Sequence, residues 1–268
     1  VIDSPTRRAI WLTIVAIVTA SPRCALAQIP PALATAIQHL QAERSYSWEV
    51  INADPGPVAQ TAETRRGRVN YVQQNLAPHI KGKVTSNGEM LLQRDWSDGL
   101  QLDTLVTADG QTLTCTPDGW LTSQEVLTSI AEERSSNGIP SPRYQWLRRA
   151  DRPDTTRPDQ ELPAAVKAAS EFEAQGGTYV ARIRFSDKAR ERAGMGELEV
   201  TLTINLRGGV VRDYQMTVQG SRTLARSGIQ LPVGDDRFVI LTYLPVRKLD
   251  VPDEAWAKLK SPKATFPR

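Results

Sequence analysis

Apolar residues first recur at helical spacing. Leu33, Ala36, Ile37 and Leu40 make one stripe within residues 28–44, and Pro30 and Pro31 are tolerated in a first turn. The period then drops to two. Tyr46, Trp48 and Val50 alternate with Ser47 and Glu49, the pattern of a half-buried strand. Residues 52–64 hold Pro55-Gly56-Pro57 and read as a loop, and residues 66–73 read as a strand. Asn87-Gly88 and Asp109-Gly110 are hairpin turns between alternating segments. Leu113 and Cys115 alternate with threonines before the turn Pro117-Asp118-Gly119, and Trp120 opens the next element. Thr122 or Ser123 caps a helix with Glu125 close behind, and Val126, Leu127 and Ile130 supply its apolar side.

The second half repeats the theme at greater length. Residues 161–175 read as a helix, with Pro163 in its first turn and Gly176-Gly177 as its stop. Tyr179, Ala181, Ile183 and Phe185 then alternate with Val180, Arg182 and Arg184, which places the two arginines opposite Phe185. Residues 186–194 suggest a short helical excursion. Leu198, Val200, Leu202, Ile204 and Leu206 alternate strictly up to a Gly208-Gly209 hairpin turn. Beyond it Val210, Arg212, Tyr214, Met216 and Val218 share one face. The run "FVILTYL" from Phe238 is the most apolar strand and is expected at the centre of a sheet. Pro252 starts a closing helix with Trp256 and Leu259 facing inward.

Hairpin-linked strands with a few helices predict an α+β fold. The expected form is one large curved antiparallel sheet, an open half-barrel, with helices covering its concave side. Such a sheet encloses apolar volume where a ligand could sit. Residues 135–160 interrupt the pattern as a Pro/Arg-rich insertion. Tyr144, Trp146 and Leu147 suggest a short packed piece within it, and Arg143, Arg148, Arg149, Arg152 and Arg157 form a basic cluster. That cluster reads either as solvated charge interleaved with Asp or as a site for an anion or membrane headgroup.

The N-terminus changes the picture from fold to compartment. Arg7 and Arg8 precede an uncharged apolar run from Ala9 to Ala20, and Ala25-Leu26-Ala27 fits a small-x-small cleavage signal before Gln28. The run is too short for a bilayer core of about 30 Å. Residues 1–27 are therefore expected to be a signal peptide and residues 28–268 a single exported, periplasmic or secreted domain, with no membrane span after cleavage. Loss of Arg7, Arg8, Arg23 and Asp3 takes the net charge from +3 to +1. That balance disfavours nucleic acid, which needs a concentrated positive surface.

Chemistry is sparse. If Cys24 leaves with the signal, Cys115 has no disulfide partner, and in an oxidising compartment it reads as a small packed hydrophobe. The only histidines are His39 and His79, too few and too scattered for a zinc site. The chain has no G-x-S-x-G elbow, H-E-x-x-H, Walker loop or G-x-G-x-x-G; Gly194-Met195-Gly196 leads into a strand and reads as a turn. Asp235 and Asp236 are a possible acid–base pair, although adjacent strand-end carboxylates are ordinarily turn residues.

Three stretches carry a family resemblance: "DGQTLTCTPDGW", "GELEVTLTINLRGGVVRDYQMTVQG" and "FVILTYLPVRKLDVPDEAWAKL", the last with its Pro-acidic-Glu-Ala segment at 251–255. In pattern the chain resembles the periplasmic lipoprotein carriers of the LolA/LolB/LppX-like group. That resemblance implies an exported half-barrel that carries acyl chains beneath a helical lid, without catalysis or cofactor. The implied partners are a lipid or acylated protein. An envelope protein engaged through a strand edge is the alternative, and a hydrolase is a more distant one. Strand alternation selects Trp48, Trp120, Phe185, Tyr214, Met216 and Tyr243 as candidate ligand-lining residues, with Trp96, Trp146 and Trp256 as further aromatics.

Overall fold

A computed structural model describes residues 28–260, apart from 53–58, 65–66, 73–77, 137–140, 152, 154, 186, 188–189, 191–194 and 224–229. The expected signal peptide, the turn at 55–57 and most of the excursion at 186–194 lie outside the described residues. Helix α1 (Pro31–Ala42) precedes strands β1 (Tyr46–Asn52), β2 (Ala59–Thr64), β3 (Gly67–Val72), β4 (His79–Val84), β5 (Met90–Asp95), β6 (Gln101–Val106), β7 (Thr112–Thr116) and β8 (Gly119–Thr122). Helices α2 (Ser123–Ser136), α3 (Pro142–Ala150) and α4 (Pro158–Ala168) follow. Strands β9 (Glu171–Gln175), β10 (Thr178–Arg184), β11 (Met195–Arg207), β12 (Val210–Thr223) and β13 (Gln230–Thr242) lead to α5 (Asp253–Lys260).

The fold is α+β. Eleven strands form one open antiparallel sheet in the order β8-β7-β6-β5-β4-β1-β13-β12-β11-β10-β9, with β13 near the middle as its apolar run demands, and β2 pairs β3 separately. The strands 59–64 replace part of the loop expected at 52–64. The chain divides into two compact units. Unit 1 draws on the chain up to Ala42, Val50–Pro78 and Thr156–Leu241; unit 2 draws on Glu43–Glu49, His79–Thr155 and the chain from Thr242.

In unit 2, tight turns set the register. Gly88, Gly99, Gly110 and Gly119 all have positive φ, which L side chains adopt only with strain. Three of these turns share one hydrogen-bond scheme: Gly88, Gly99 and Gly110 donate to the carbonyls of Thr85, Trp96 and Thr107, three residues back. The β-ladder then has two buried faces. Leu91, Leu105 and Leu113 face Leu249, Val251 and Ala255 of the C-terminal segment, with Trp120, Trp256 and Leu259 packed at the margin. The other face carries Trp48, Leu92, Leu102 and Thr104. Thr122 is the N-cap of α2. Its N–H donates to Glu125 Oε2 at 2.7 Å and its Oγ1 accepts from the Glu125 N–H at 3.2 Å, a reciprocal capping box. Val126 and Ile130 are buried on α2, whereas Leu127 is 41% exposed, because one residue further on turns it about 100° from Val126.

Where Tyr144, Trp146 and Leu147 suggest a short packed piece, the Pro/Arg-rich insertion at 135–160 contains helix α3. Ser141 caps it by accepting from the Tyr144 N–H at 3.0 Å, Pro142 occupies the first turn, and Leu147 and Ala150 are buried.

Unit 1 departs from expectation at two further places. Helix α4 starts at Pro158 and ends at Ala168, so Pro163 lies inside it, and the residues read as its second half form β9 instead. Gly176 (φ 57°) and Gly177 (φ 89°) are not a helix stop but the two-residue turn joining β9 to β10, with Gln175 opposite Thr178. The second departure is a bulge. Asn205 faces Asp213 but Leu206 faces Val211, so Arg212 is the extra residue on β12. The side-chain phase therefore flips there: Val211 is buried, and so are Tyr214, Met216 and Val218.

Candidate functional site

The buried face of unit 1 is built by register. Ile183 pairs Val200, Leu202 pairs Met216, Ile204 pairs Tyr214, and Tyr214 pairs Val239, so these residues share one face across β10 to β13 in successive rungs. Two helices lie on this unit's sheet. Helix α1 packs against β12 and α4, and α4 packs against β10. They contribute Leu33, Ala36, Ile37 and Leu40 from α1, as the sequence pattern predicts, and Leu162, Ala165 and Val166 from α4.

A polar cluster is set into this apolar layer. Glu161 on α4 accepts the Tyr214 hydroxyl at 2.8 Å and an Arg237 N–H at 3.1 Å, both at Oε2. Glu161, Tyr214 and Arg237 are all buried. A buried carboxylate is tolerable only when paired and hydrogen-bonded. Nearby in sequence, Arg157 grips Asp159 with two N–H donors. Asp235 and Asp236 are not turn residues. They lie inside β13 opposite Val218 and Thr217, and adjacent strand positions point to opposite faces, so they do not form an acid–base pair.

The six candidate lining residues separate. Tyr214 and Met216 come together on the buried face of unit 1, with the Tyr214 hydroxyl committed to Glu161. Phe185 stands just past the end of β10, half-buried. Arg182 and Arg184 are exposed and paired with Glu173 and Glu171, the solvent charges expected of that face. In unit 2, Trp48 and Trp120 lie on opposite faces of the ladder. Trp48 covers Gly82, which continues through Leu92, Thr104 and Thr114, whereas Trp120 pairs Cys115, one residue out of phase. They cannot line one hollow. Tyr243 is half-buried, and burial, helped by the Glu43 carboxylate, pushes its phenol up to about 12.

Arg143, Arg149 and Arg157 of the basic cluster each pair with carboxylates, and Arg152 lies outside the described residues. Arg143 reaches Asp118 at 2.7 Å and Glu133 at 3.0 Å, and Arg149 reaches Asp98 at 2.7 Å while lying 5.3 Å from the Trp96 ring centre. Arg149 holds the Asp98 carboxyl below its ordinary range through their hydrogen bond. These contacts fix α3 in place and leave Arg143 and Arg149 no free fork for an anion.

Cys115 is half-buried on the face of Trp120. Burial, with Asp103 and Glu254 adding negative charge, pushes its thiol up. A nucleophile needs the opposite shift. His79 lies in ion-pair range of Glu49 at 2.7 Å, though without hydrogen-bond geometry, and its strand β4 is three strands from β7, about 14 Å at about 4.8 Å per strand. Alkylation of folded Cys115 by iodoacetamide should therefore lag a free cysteine at pH 8, with its rate profile displaced toward higher pH. A rate above that of free cysteine would contradict this.

Among the described residues no group of three or more His, Cys, Asp or Glu could hold a metal ion, and no helix is long and apolar enough to cross a membrane. The sheet edges are short. β8 has four residues, and β9 has five including the ion-paired Glu171 and Glu173. Charge and shortness both blunt strand addition by a partner. No family model and no curated protein matches the chain.

Proposed function

We propose that this protein is an exported, non-catalytic carrier of an apolar or amphipathic molecule, a lipid or a protein-borne acyl chain. The ligand is taken up between the sheet face of unit 1 and helices α1 and α4. The observation that carries this reading is the largely apolar face of β10 to β13, which is covered by two amphipathic helices. It includes Ile183, Val200, Leu202, Val239, Tyr214 and the adaptable thioether of Met216, and carries the buried charges of Asp235 and Arg237 at its β13 end. Exchange of the apolar helix contacts for acyl contacts over such a face is nearly neutral per unit area, because both are apolar. The resemblance to lipoprotein carriers and the signal-like pattern of residues 1–27 support the same reading. The periplasm is the proposed compartment.

The test is to express the full chain in a Gram-negative host, purify the periplasmic product without detergent, and compare native with denaturing mass spectra. The expected denatured mass begins at Gln28. The expected native mass carries an excess that vanishes on denaturation, with lipid in the organic extract. A bare native mass with no extractable lipid would overturn the carrier reading.

A further inference from the structure

The segment leaving β13 carries the most exposed large apolar side chain among the described residues. Leu244 is 72% exposed, and Pro245 beside it is exposed too. Exposed Arg247 and Lys248 follow, and Leu249 is buried in the leucine cluster, which ties down the far end. The near end is stapled to Ser45. Its Oγ accepts the Val246 N–H at 2.7 Å and donates to the Val246 carbonyl at 3.2 Å. That staple brings exposed Arg44 alongside.

The charges differ from the ion-paired cations of unit 2, although Lys81 and Lys83 of β4 are likewise without an ion pair among the described residues. Arg143, Arg149 and Lys258 each close on a carboxylate. Among the described residues, Arg44, Arg247 and Lys248 close on none. The acidic groups nearby are Glu43, half-buried and felt by Tyr243, and exposed Asp250 beyond Leu249. One leucine and one proline are too little for a stable protein interface, which needs on the order of 1,000 Å². A bilayer asks for less. An apolar tip can enter the acyl boundary while flanking cations meet anionic headgroups.

We propose that Leu244, with Arg44, Arg247 and Lys248 around it, is a docking point for the surface of an anionic phospholipid bilayer. This goes beyond the carrier reading and does not depend on it. The experiment is flotation of the purified periplasmic product with vesicles of phosphatidylcholine, with or without phosphatidylglycerol. Binding is expected only with phosphatidylglycerol and should weaken as salt rises. Arg247→Gln and Lys248→Gln should each lower partitioning about fivefold, and Leu244→Ser about tenfold. All three positions are exposed, so the fold is retained, which circular dichroism checks. Any mass excess in the native spectrum should be unchanged in these variants, which separates docking from cargo binding. Equal binding to neutral vesicles, no binding to anionic ones, or unchanged binding by Leu244→Ser would each overturn the proposal. Retention on polyglutamate without vesicle binding would also overturn it, and would assign the cations to an acidic protein.

Discussion

Arg237→Ala should destabilise unit 1 by about 3–5 kcal/mol, the cost of leaving one member of a buried ion pair without its partner. Arg237 lies on β13 opposite Met216 and reaches Glu161 on α4. Without the guanidinium, the buried Glu161 carboxylate keeps the Tyr214 hydroxyl among its donors but no longer has the Arg237 cation. Tyr214→Phe, which removes that donor alone, should cost about 1 kcal/mol. The pair Glu161→Leu with Arg237→Met removes both charges and keeps volume, so it should recover most of the loss. Hydrogen exchange of the β11 and β12 amides is the suitable readout. The tryptophans at 48, 96, 120, 146 and 256 all belong to unit 2, so indole fluorescence does not watch unit 1 directly. A cost below about 1 kcal/mol for Arg237→Ala would mean that the charge is solvated, contrary to its burial.

Gly82→Val should cost about 3 kcal/mol, at the upper end for forcing extra methyl groups into a packed core. Gly82 sits on β4 directly beneath Trp48. A Cβ there would fall inside the indole ring, against Cε2 and Cζ2. The indole is itself buried, and Tyr46 lies against it with ring centres 5.5 Å apart, so it has little room to yield. Trp48→Leu placed in the Gly82→Val background should recover part of the loss, a coupling that a double-mutant cycle in urea measures. Additive costs would show that the two side chains do not share the space. The same experiment bears on Trp48 as a ligand contact, because a residue that seals the core against a glycine serves packing first.

What the sequence showed depended on how local the cause was. The turns at Asn87-Gly88, Asp109-Gly110 and Gly208-Gly209 were legible because positive φ selects glycine within four residues. So was the Thr122–Glu125 capping box. Strand β9 was not, because Glu171, Glu173, Ala174 and Gln175 favour helix, and only pairing with β10 overrides that preference. Helix α3 was legible only as a short packed piece around Tyr144, Trp146 and Leu147, because its arginines read as solvated charge until carboxylates at 98, 118 and 133 were folded against them. The candidate site was half legible. Alternation correctly grouped Tyr214 with Met216, but it could not carry a face from one strand to the next, so Trp48 and Trp120 were joined although register places them on opposite faces. Glu161 and Arg237 are 76 positions apart and gave no signal at all. Isolated charged residues in amphipathic segments look solvent-exposed until tertiary structure buries them.

Each unit is stitched from three separated stretches of chain, and this fixes when folding can finish. Unit 1 needs α1 and β13, and unit 2 needs β5 to β7 together with Leu249, Val251 and Ala255. A chain emerging from a ribosome therefore cannot complete unit 1 before Leu241 has appeared, nor cover Leu91, Leu105 and Leu113 before Ala255 has. Until then the leucines of one unit and the apolar sheet face of the other remain open to water and to other chains. Synthesis must therefore have passed Leu241 before unit 1 is covered and Ala255 before unit 2 is, and the interval until then is the one in which this protein is exposed to aggregation.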